Sequence, residues 1–269
     1  MTRIPSVLTI AGSDSGGGAG IHADLKSFAA HGVHGLSAIA ALTAQNTRGV
    51  TAVHVPPAGF LRAQIDACFD DFEIGAVKLG MLANAEVIQA VADALETYRP
   101  RFVVLDPVMV ATSGAKLLED DALDALRTRL LPLASIVTPN IPEAEILYGR
   151  PIRNTNDMHD CALAMRYSLA QACLVKGGHL QSGDDVIDIF CDEDGTQPII
   201  HPRLDLEAHG TGCTLASAIA ANLCLGLSMP AAAQAAGDYV ERALRLGYRP
   251  GRGEMVVLDH FGATPLPRR

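Results

Sequence analysis

Short, fully apolar runs alternate regularly with longer amphipathic stretches along this chain, and that alternation constrains its fold more than any other feature. "SVLTIAG" (6–12) reads as a buried strand ended by glycine. "IHADLKSFAAHG" (21–32) follows with apolar residues at helical spacing and Gly32 at its end. The same exchange repeats: strand 36–43, helix 59–72, strand 75–81, helix 85–98, strand 102–108, helix 119–134, strand 135–140. A helix over 156–170 and a strand over 173–178 come next. The segments 185–192 and 196–203, joined by "EDG", read as a hairpin. Two helices close the chain, the first starting near Gly212 or Cys213 and the second near 230–246, ending at Gly247. Strand–helix alternation of this kind implies an α/β fold with a mostly parallel sheet covered on both faces. In such sheets ligands bind beyond the carboxyl ends of the strands. That rule singles out Gly12–Gly20, Asp106, Asn140 and Lys176–Gly178.

Composition excludes several functions. The chain has 269 residues, 49% hydrophobic and 19% charged, as in a compact globular protein. A formal charge of −9, few aromatics and no basic run argue against a nucleic-acid partner. No secretory signal is expected, because "SVLTIAG" is short and runs into a polar glycine-rich loop. The stretch Ala208 to Gly237 carries no formal charge, yet Gly226 and Pro230 break it and Ser217, Asn222, Ser228 and Gln234 punctuate it. Two buried helices, not a membrane span, are expected there. Six scattered cysteines without C-x-x-C point to reduced thiols and a cytoplasmic setting. The spacing of "HGVH" (31–34) could suit a metal, but its glycine favours a helix end.

Each strand-end motif has a chemical and a bland reading. "GSDSGGGAG" (12–20) is neither a P-loop nor G-x-G-x-x-G; it is a ligand cradle or a flexible turn. Asp24, one turn beyond, is a solvated helix residue or a buried acceptor facing the cradle. Asp106 in "LDPVMVATSG" (105–114) holds Mg²⁺ or simply turns the chain before Pro107, and "ATSG" has the composition of a mobile flap. In "TPNIPEAEIL" (138–147), Pro142 suits a helix start, where a first-turn acid is favoured by the helix dipole. The Asn140–Glu143 spacing also suits a water-coordinated magnesium. Lys176 in "LVKGGH" reaches phosphate or snorkels at a strand end. In "HGTGCTLASA" (209–218), Cys213 at a helix start is core filler, redox group, metal ligand or catalytic group. The helix N-terminus would bind anions and lower its pKa from the usual ~8.5.

Taken together and in this order, "TIAGSDSGGGAGIHADLK", "ALTAQNT", "KLGML", "LDPVMVATSG", "TPNIPEAE", "LVKGGH" and "HGTGCTLASA" resemble the hydroxymethylpyrimidine/phosphomethylpyrimidine kinases of the ribokinase superfamily. The resemblance covers nearly the whole chain. It implies one domain over 1–269, a ribokinase-like three-layer αβα sandwich without a separate lid domain, and a homodimer. It implies ATP as co-substrate with Mg²⁺, and leaves room for a monovalent cation. The acceptors would be 4-amino-5-hydroxymethyl-2-methylpyrimidine and then its monophosphate, in thiamine biosynthesis. By the match, Asp24 and Gln45 would hydrogen-bond the aminopyrimidine, and Gly12, Met81 and Val108 would line its pocket. Lys176, Thr211 and Asn140 would serve ATP, and Asp106 and Glu143 magnesium. Gly210 and Gly212 would form an anion hole. Cys213 would stand where most sugar kinases of the superfamily carry an aspartate base, either taking the hydroxyl proton or holding the hydroxyl. The rivals are a pyridoxal kinase and a catalytically silent metabolite-binding protein. The related dual-cysteine pyridoxal kinases carry a second cysteine in the flap, and here no cysteine lies between Asp106 and Asp120.

Overall fold

The computed structural model describes residues 4–110, 114, 117–119, 121–180 and 183–264. The elements run in the order β1 (Ser6–Gly12), α1 (Gly20–Ala30), β2 (His34–Asn46), β3 (Gly49–His54), α2 (Ala58–Asp71), β4 (Ile74–Leu79), α3 (Ala85–Tyr98) and β5 (Val103–Leu105). There follow α4 (Ala122–Ala125), β6 (Ile136–Val137), α5 (Ile141–Tyr148), α6 (Thr155–Ser168) and β7 (Cys173–Val175). The chain continues with β8 (Asp185–Asp192), β9 (Gly195–Pro202), β10 (Ala208–His209), α7 (Thr211–Cys224), α8 (Met229–Arg245) and β11 (Val256–Val257).

Nine strands form one sheet in the order β3-β2-β1-β4-β5-β6-β7-β8-β9. The strands from β2 to β7 run parallel, while β3, β8 and β9 pair antiparallel at the two edges. Side-chain alternation explains the uniformly apolar strands. Leu8, Val77 and Leu105 point into one core, with residues of α2 to α6, while Val7, Ala76 and Val104 point into a second with α1, α7 and α8. Both faces are covered, so each strand is apolar at consecutive positions. The result is a three-layer αβα arrangement.

Several sequence expectations change in detail. Strand β2 extends far beyond 36–43, and its partner β3 has four exposed positions and weak apolar patterning. The short parallel pair of β10 and β11 likewise has no local signal, since each contributes only two residues. The helix expected over 119–134 starts only at Ala122, then widens to a π-turn over Leu126–Leu130 and tightens to a 3₁₀ turn over Leu131–Leu133, where Pro132 removes a backbone donor. Residues 111–113 of the expected flap lie outside the described residues.

The connection from β1 goes outward to β2 and returns to β4 on the other side of β1. The strand order therefore reverses between β1 and β4, and a crevice opens at their carboxyl ends. Gly12, Gln45, Met81, Asp106, Asn140 and Lys176 all lie at or just beyond those ends.

Candidate active site

A single cavity of about 960 Å³ occupies this crevice. A single-ring alcohol would not fill it, because pockets of roughly 300–1,000 Å³ take whole drug-sized ligands. Of the residues read from sequence, Gly12, Gln45, Met81, Val108, Asp106, Asn140, Glu143, Lys176, Gly210, Thr211, Gly212 and Cys213 all line it.

Helix α7 starts in this cavity. Its N-cap is Gly210, at φ +83°, a conformation glycine adopts without strain. No side chain caps the helix, so its first N–H groups have no side-chain partner, and such termini favour anions. A Cβ on Gly210 would lie 2.0 Å from the Gly18 carbonyl oxygen, so glycine here lets α7 approach the glycine-rich loop. A Cβ on Gly212 would lie 3.0 Å from Lys176 Nζ and 3.5 Å from an Asp106 oxygen. The first turn of α7 thus abuts the Lys176–Asp106 ion pair, whose atoms are 2.8 Å apart. Burial opposes the charge on Lys176, but Asp106 and Glu143 outweigh it and hold its pKa above the ordinary value.

Asn140 and Glu143 do more than the expected first-turn pairing. They form a reciprocal capping box at the start of α5: Glu143 N–H donates to Asn140 Oδ1 (3.0 Å), and Asn140 N–H donates to Glu143 Oε2 (2.9 Å). Burial pushes Glu143 up to about 7, with Lys176 pulling it down and Asp106 pushing it up. Among the described residues, no group of three or more His, Cys, Asp or Glu could hold a metal by itself. The two carboxylates Asp106 and Glu143 nevertheless match the donor set by which Mg²⁺ is held together with substrate phosphates.

Three corrections follow. Asp24 does not line the cavity. It is fully buried, and its carboxylate accepts from Thr9 Oγ1 (2.6 Å), Ser217 Oγ (2.7 Å) and Lys78 Nζ (2.9 and 3.0 Å), so no acceptor site is left for a substrate amino group. The glycine-rich loop is not an empty cradle either. Its N–H groups at Gly16, Gly18 and Ala19 donate to the carboxylate of Asp14, which fills the concavity itself. Burial opposes the Asp14 charge, but His209 and the N–H groups of Gly16 and Ala19 hold its pKa below the usual range. Finally, the Cys213 thiol is not acidified. Burial pushes it up to about 11, and Lys78 only partly offsets that, so at neutral pH it is a thiol.

Sequence reasoning missed three residues here. Asp14, His209 and Lys78 all line the cavity. His209 Nε2 lies 3.3 Å from Asp14 Oδ2 and 2.6 Å from Gln45 Nε2, linking the glycine-rich loop to the Gln45 amide. A histidine before G-T-G-C and an aspartate inside a glycine run were both visible signals.

The family model described as phosphomethylpyrimidine kinase matches residues 14–258. A hydroxymethylpyrimidine/phosphomethylpyrimidine kinase of Rhizobium meliloti is 50% identical over 97% of this chain and 98% of its own length. A thiamine biosynthesis bifunctional protein of Geobacter sulfurreducens is also 50% identical, over 98% of this chain; the chain spans only 54% of that longer relative. Among solved structures, the phosphomethylpyrimidine kinase of Clostridium difficile superimposes with a TM-score of 0.80 at 40% identity, covering 90% of this chain and 100% of that one. The pyridoxal kinase of Staphylococcus aureus, in complex with AMP-PCP and pyridoxal, gives 0.88 at 30% identity, covering 97% and 95%. The fold is thus ribokinase-like as expected, and the chain belongs to the phosphomethylpyrimidine kinase family.

Proposed function

We propose that this kinase phosphorylates 4-amino-5-hydroxymethyl-2-methylpyrimidine at its hydroxymethyl group with ATP, and then phosphorylates the monophosphate to the diphosphate in thiamine diphosphate biosynthesis. One observation carries the reading. A single cavity holds an amide suited to an aminopyrimidine edge, Gln45, together with the open helix terminus at Gly210–Cys213 and the Lys176–Asp106 pair. An amide offers a donor and an acceptor side by side, matching a ring nitrogen and its neighbouring amino group. Gly12, Met81 and Val108 give the ring an apolar slot; a Cβ on Gly12 would lie 2.9 Å from Met81 Sδ.

In the reaction, the substrate oxygen forms a bond to the γ-phosphorus as the bond from that phosphorus to the β–γ bridging oxygen breaks, and ADP leaves. The hydroxyl proton leaves once the oxygen–phosphorus bond has formed and passes to water, since Cys213 is a thiol and takes none. Lys176, Thr211 and Asn140 serve the nucleotide, and the N–H groups from Gly210 to Gly212 face the transferring oxygens. Positioning and charge stabilisation of this kind supply most of the catalysis in phosphoryl transfer. Asp106 and Glu143 would hold magnesium, which neutralises phosphate charge when bound. Cys213, a neutral thiol at rest, holds the hydroxyl in line. All six cysteines are free, which suits a reducing, cytoplasmic compartment. Exposed apolar side chains on β2, β3 and α2, namely Leu42, Val53 and Phe60, support a homodimer.

The test is ADP release from purified protein with ATP, Mg²⁺ and each alcohol in turn. Turnover with the pyrimidine and its monophosphate is expected. No turnover with either would sink the reading, and preferential turnover of pyridoxal would replace it with the pyridoxal kinase alternative.

A further inference from the structure

Beneath the first turn of α7 lies a charged cluster that the chemistry above does not use. Lys78, on β4, has no solvent exposure at all. An ammonium withdrawn from water is costly unless it is paired. Its partner is Asp24 on α1, whose carboxylate also receives Thr9 from β1 and Ser217 from α7. Four elements therefore meet on one ion pair.

Two observations tie that pair to the reacting end of the cavity. Ser217 is four residues after Cys213, so both lie on one face of α7, about one turn or ~5.4 Å apart. The serine bonds the same Asp24 oxygen, Oδ1, that Lys78 approaches to 2.9 Å, which sets the ammonium against the turn that bears Cys213. Second, Lys78 lines the cavity beside Ala11, Gly12 and Cys213. Gly80 leaves it that room, since a Cβ there would lie 2.9 Å from Nζ. An ammonium has three donors, and Lys78 bonds both oxygens of Asp24.

We propose that Lys78, fixed by Asp24 under the first turn of α7, is the buried counter-cation for negative charge developing at the Cys213 end of the cavity, and so a positioning residue for phosphoryl transfer. The assignment rests on the reading above that the acceptor hydroxyl reacts beside Cys213. As the substrate oxygen attacks and sheds its proton, negative charge develops on that oxygen and on the transferring phosphoryl oxygens, and a cation already fixed in a buried site stabilises it without reorganisation. The groups that act on the Cys213 thiol include Lys78 from β4, which favours its anion, Asp24 from α1 and Asp106 beyond β5, which oppose it, and the backbone at Gly20, which favours it. Lys176 also interacts with the Cys213 thiol, but it is held on the other side by the Asp106 carboxylate.

The test uses Lys78→Gln, which keeps an amide donor toward Asp24 but drops the charge, and the neutral pair Lys78→Met with Asp24→Asn. Cys213 alkylation by iodoacetamide is followed against pH by peptide mass spectrometry in the nucleotide-free protein. For Lys78→Gln the alkylation midpoint should rise by about one pH unit, a tenfold loss of thiolate at fixed pH. In both variants kcat should fall by about tenfold or more while KM for the alcohol stays within about threefold. Wild-type kcat in the folded double variant, or an unshifted midpoint in folded Lys78→Gln, would overturn the assignment and leave the pair as a tie between elements. If instead wild-type protein turns over neither pyrimidine, the proposed function fails, while the alkylation midpoint still decides whether Lys78 acts on Cys213.

Discussion

Replacing Gly210 by alanine tests whether the site depends on the close approach of α7 to the glycine-rich loop. Gly210 has φ +83°, and forcing an L-residue into that region costs roughly 1–2 kcal/mol. The added Cβ would lie 2.0 Å from Gly18 O, 3.0 Å from Gly18 C and 3.2 Å from Ala19 Cα, all backbone atoms with no rotamer to escape into. Gly18 and Ala19 cannot yield alone, because their N–H groups hold Asp14 at 2.9 and 2.8 Å. Loop and helix must therefore part by about 1 Å, an overpacking cost of about 1–3 kcal/mol on top of the backbone term. The expected total is roughly 3 kcal/mol, or about 6–12 °C in Tm for a protein of this size. A displacement of ~1 Å at the N–H groups proposed to face the phosphoryl oxygens should also lower kcat by about 10²-fold. The control is Gly226→Ala, just past the end of α7. Gly226 has φ +94°, but a Cβ there meets nothing within 4 Å. It should cost only the backbone term, about 1–2 kcal/mol, and leave kcat unchanged. Thermal unfolding and steady-state ADP release on both variants make the comparison. Gly210→Ala with the Tm of Gly226→Ala and wild-type kcat would refute the claim that contact with the loop sets the anion site.

Other expectations follow from the same geometry. Cys213→Ser should keep kcat within about tenfold if a neutral group only holds the hydroxyl, whereas Cys213→Ala should lose far more in kcat than in KM; a base in the thiolate form would instead make both variants lose about 10²–10⁴-fold. His260 is buried against Thr214, next to Cys213, and burial lowers its pKa to about 4, with Lys26 adding to the shift. The unfolded chain binds that proton from about pH 6.5, so stability is intact above 6.5 and lost as pH falls from 6.5 toward 4. Urea unfolding should show about 2 kcal/mol less stability at pH 5 than at pH 7, and His260→Gln should remove most of that difference; an unchanged slope would mean that other groups carry it.

What could be read from sequence is what depends on neighbours along the chain. The apolar runs name the parallel strands, glycine and proline mark their ends, and the strand-end rule finds most of the cavity lining. The Asn140–Glu143 spacing fixes a capping box because both partners lie within one turn. Asp24 could not be placed this way. Its partners Thr9, Lys78 and Ser217 are 15, 54 and 193 residues away, and only the packing of α1, β1, β4 and α7 turns it from a pocket acceptor into the anchor of a buried cation. The thiol of Cys213 shows the same division. Its place at a helix start is a local fact that favours the anion. Its actual acidity depends on how much water the surrounding elements exclude, and desolvation outweighs both the helix terminus and Lys78. Local spacing thus determined which residues reach the crevice, and tertiary burial decided which of them are charged, which are already satisfied, and which remain free to meet a substrate.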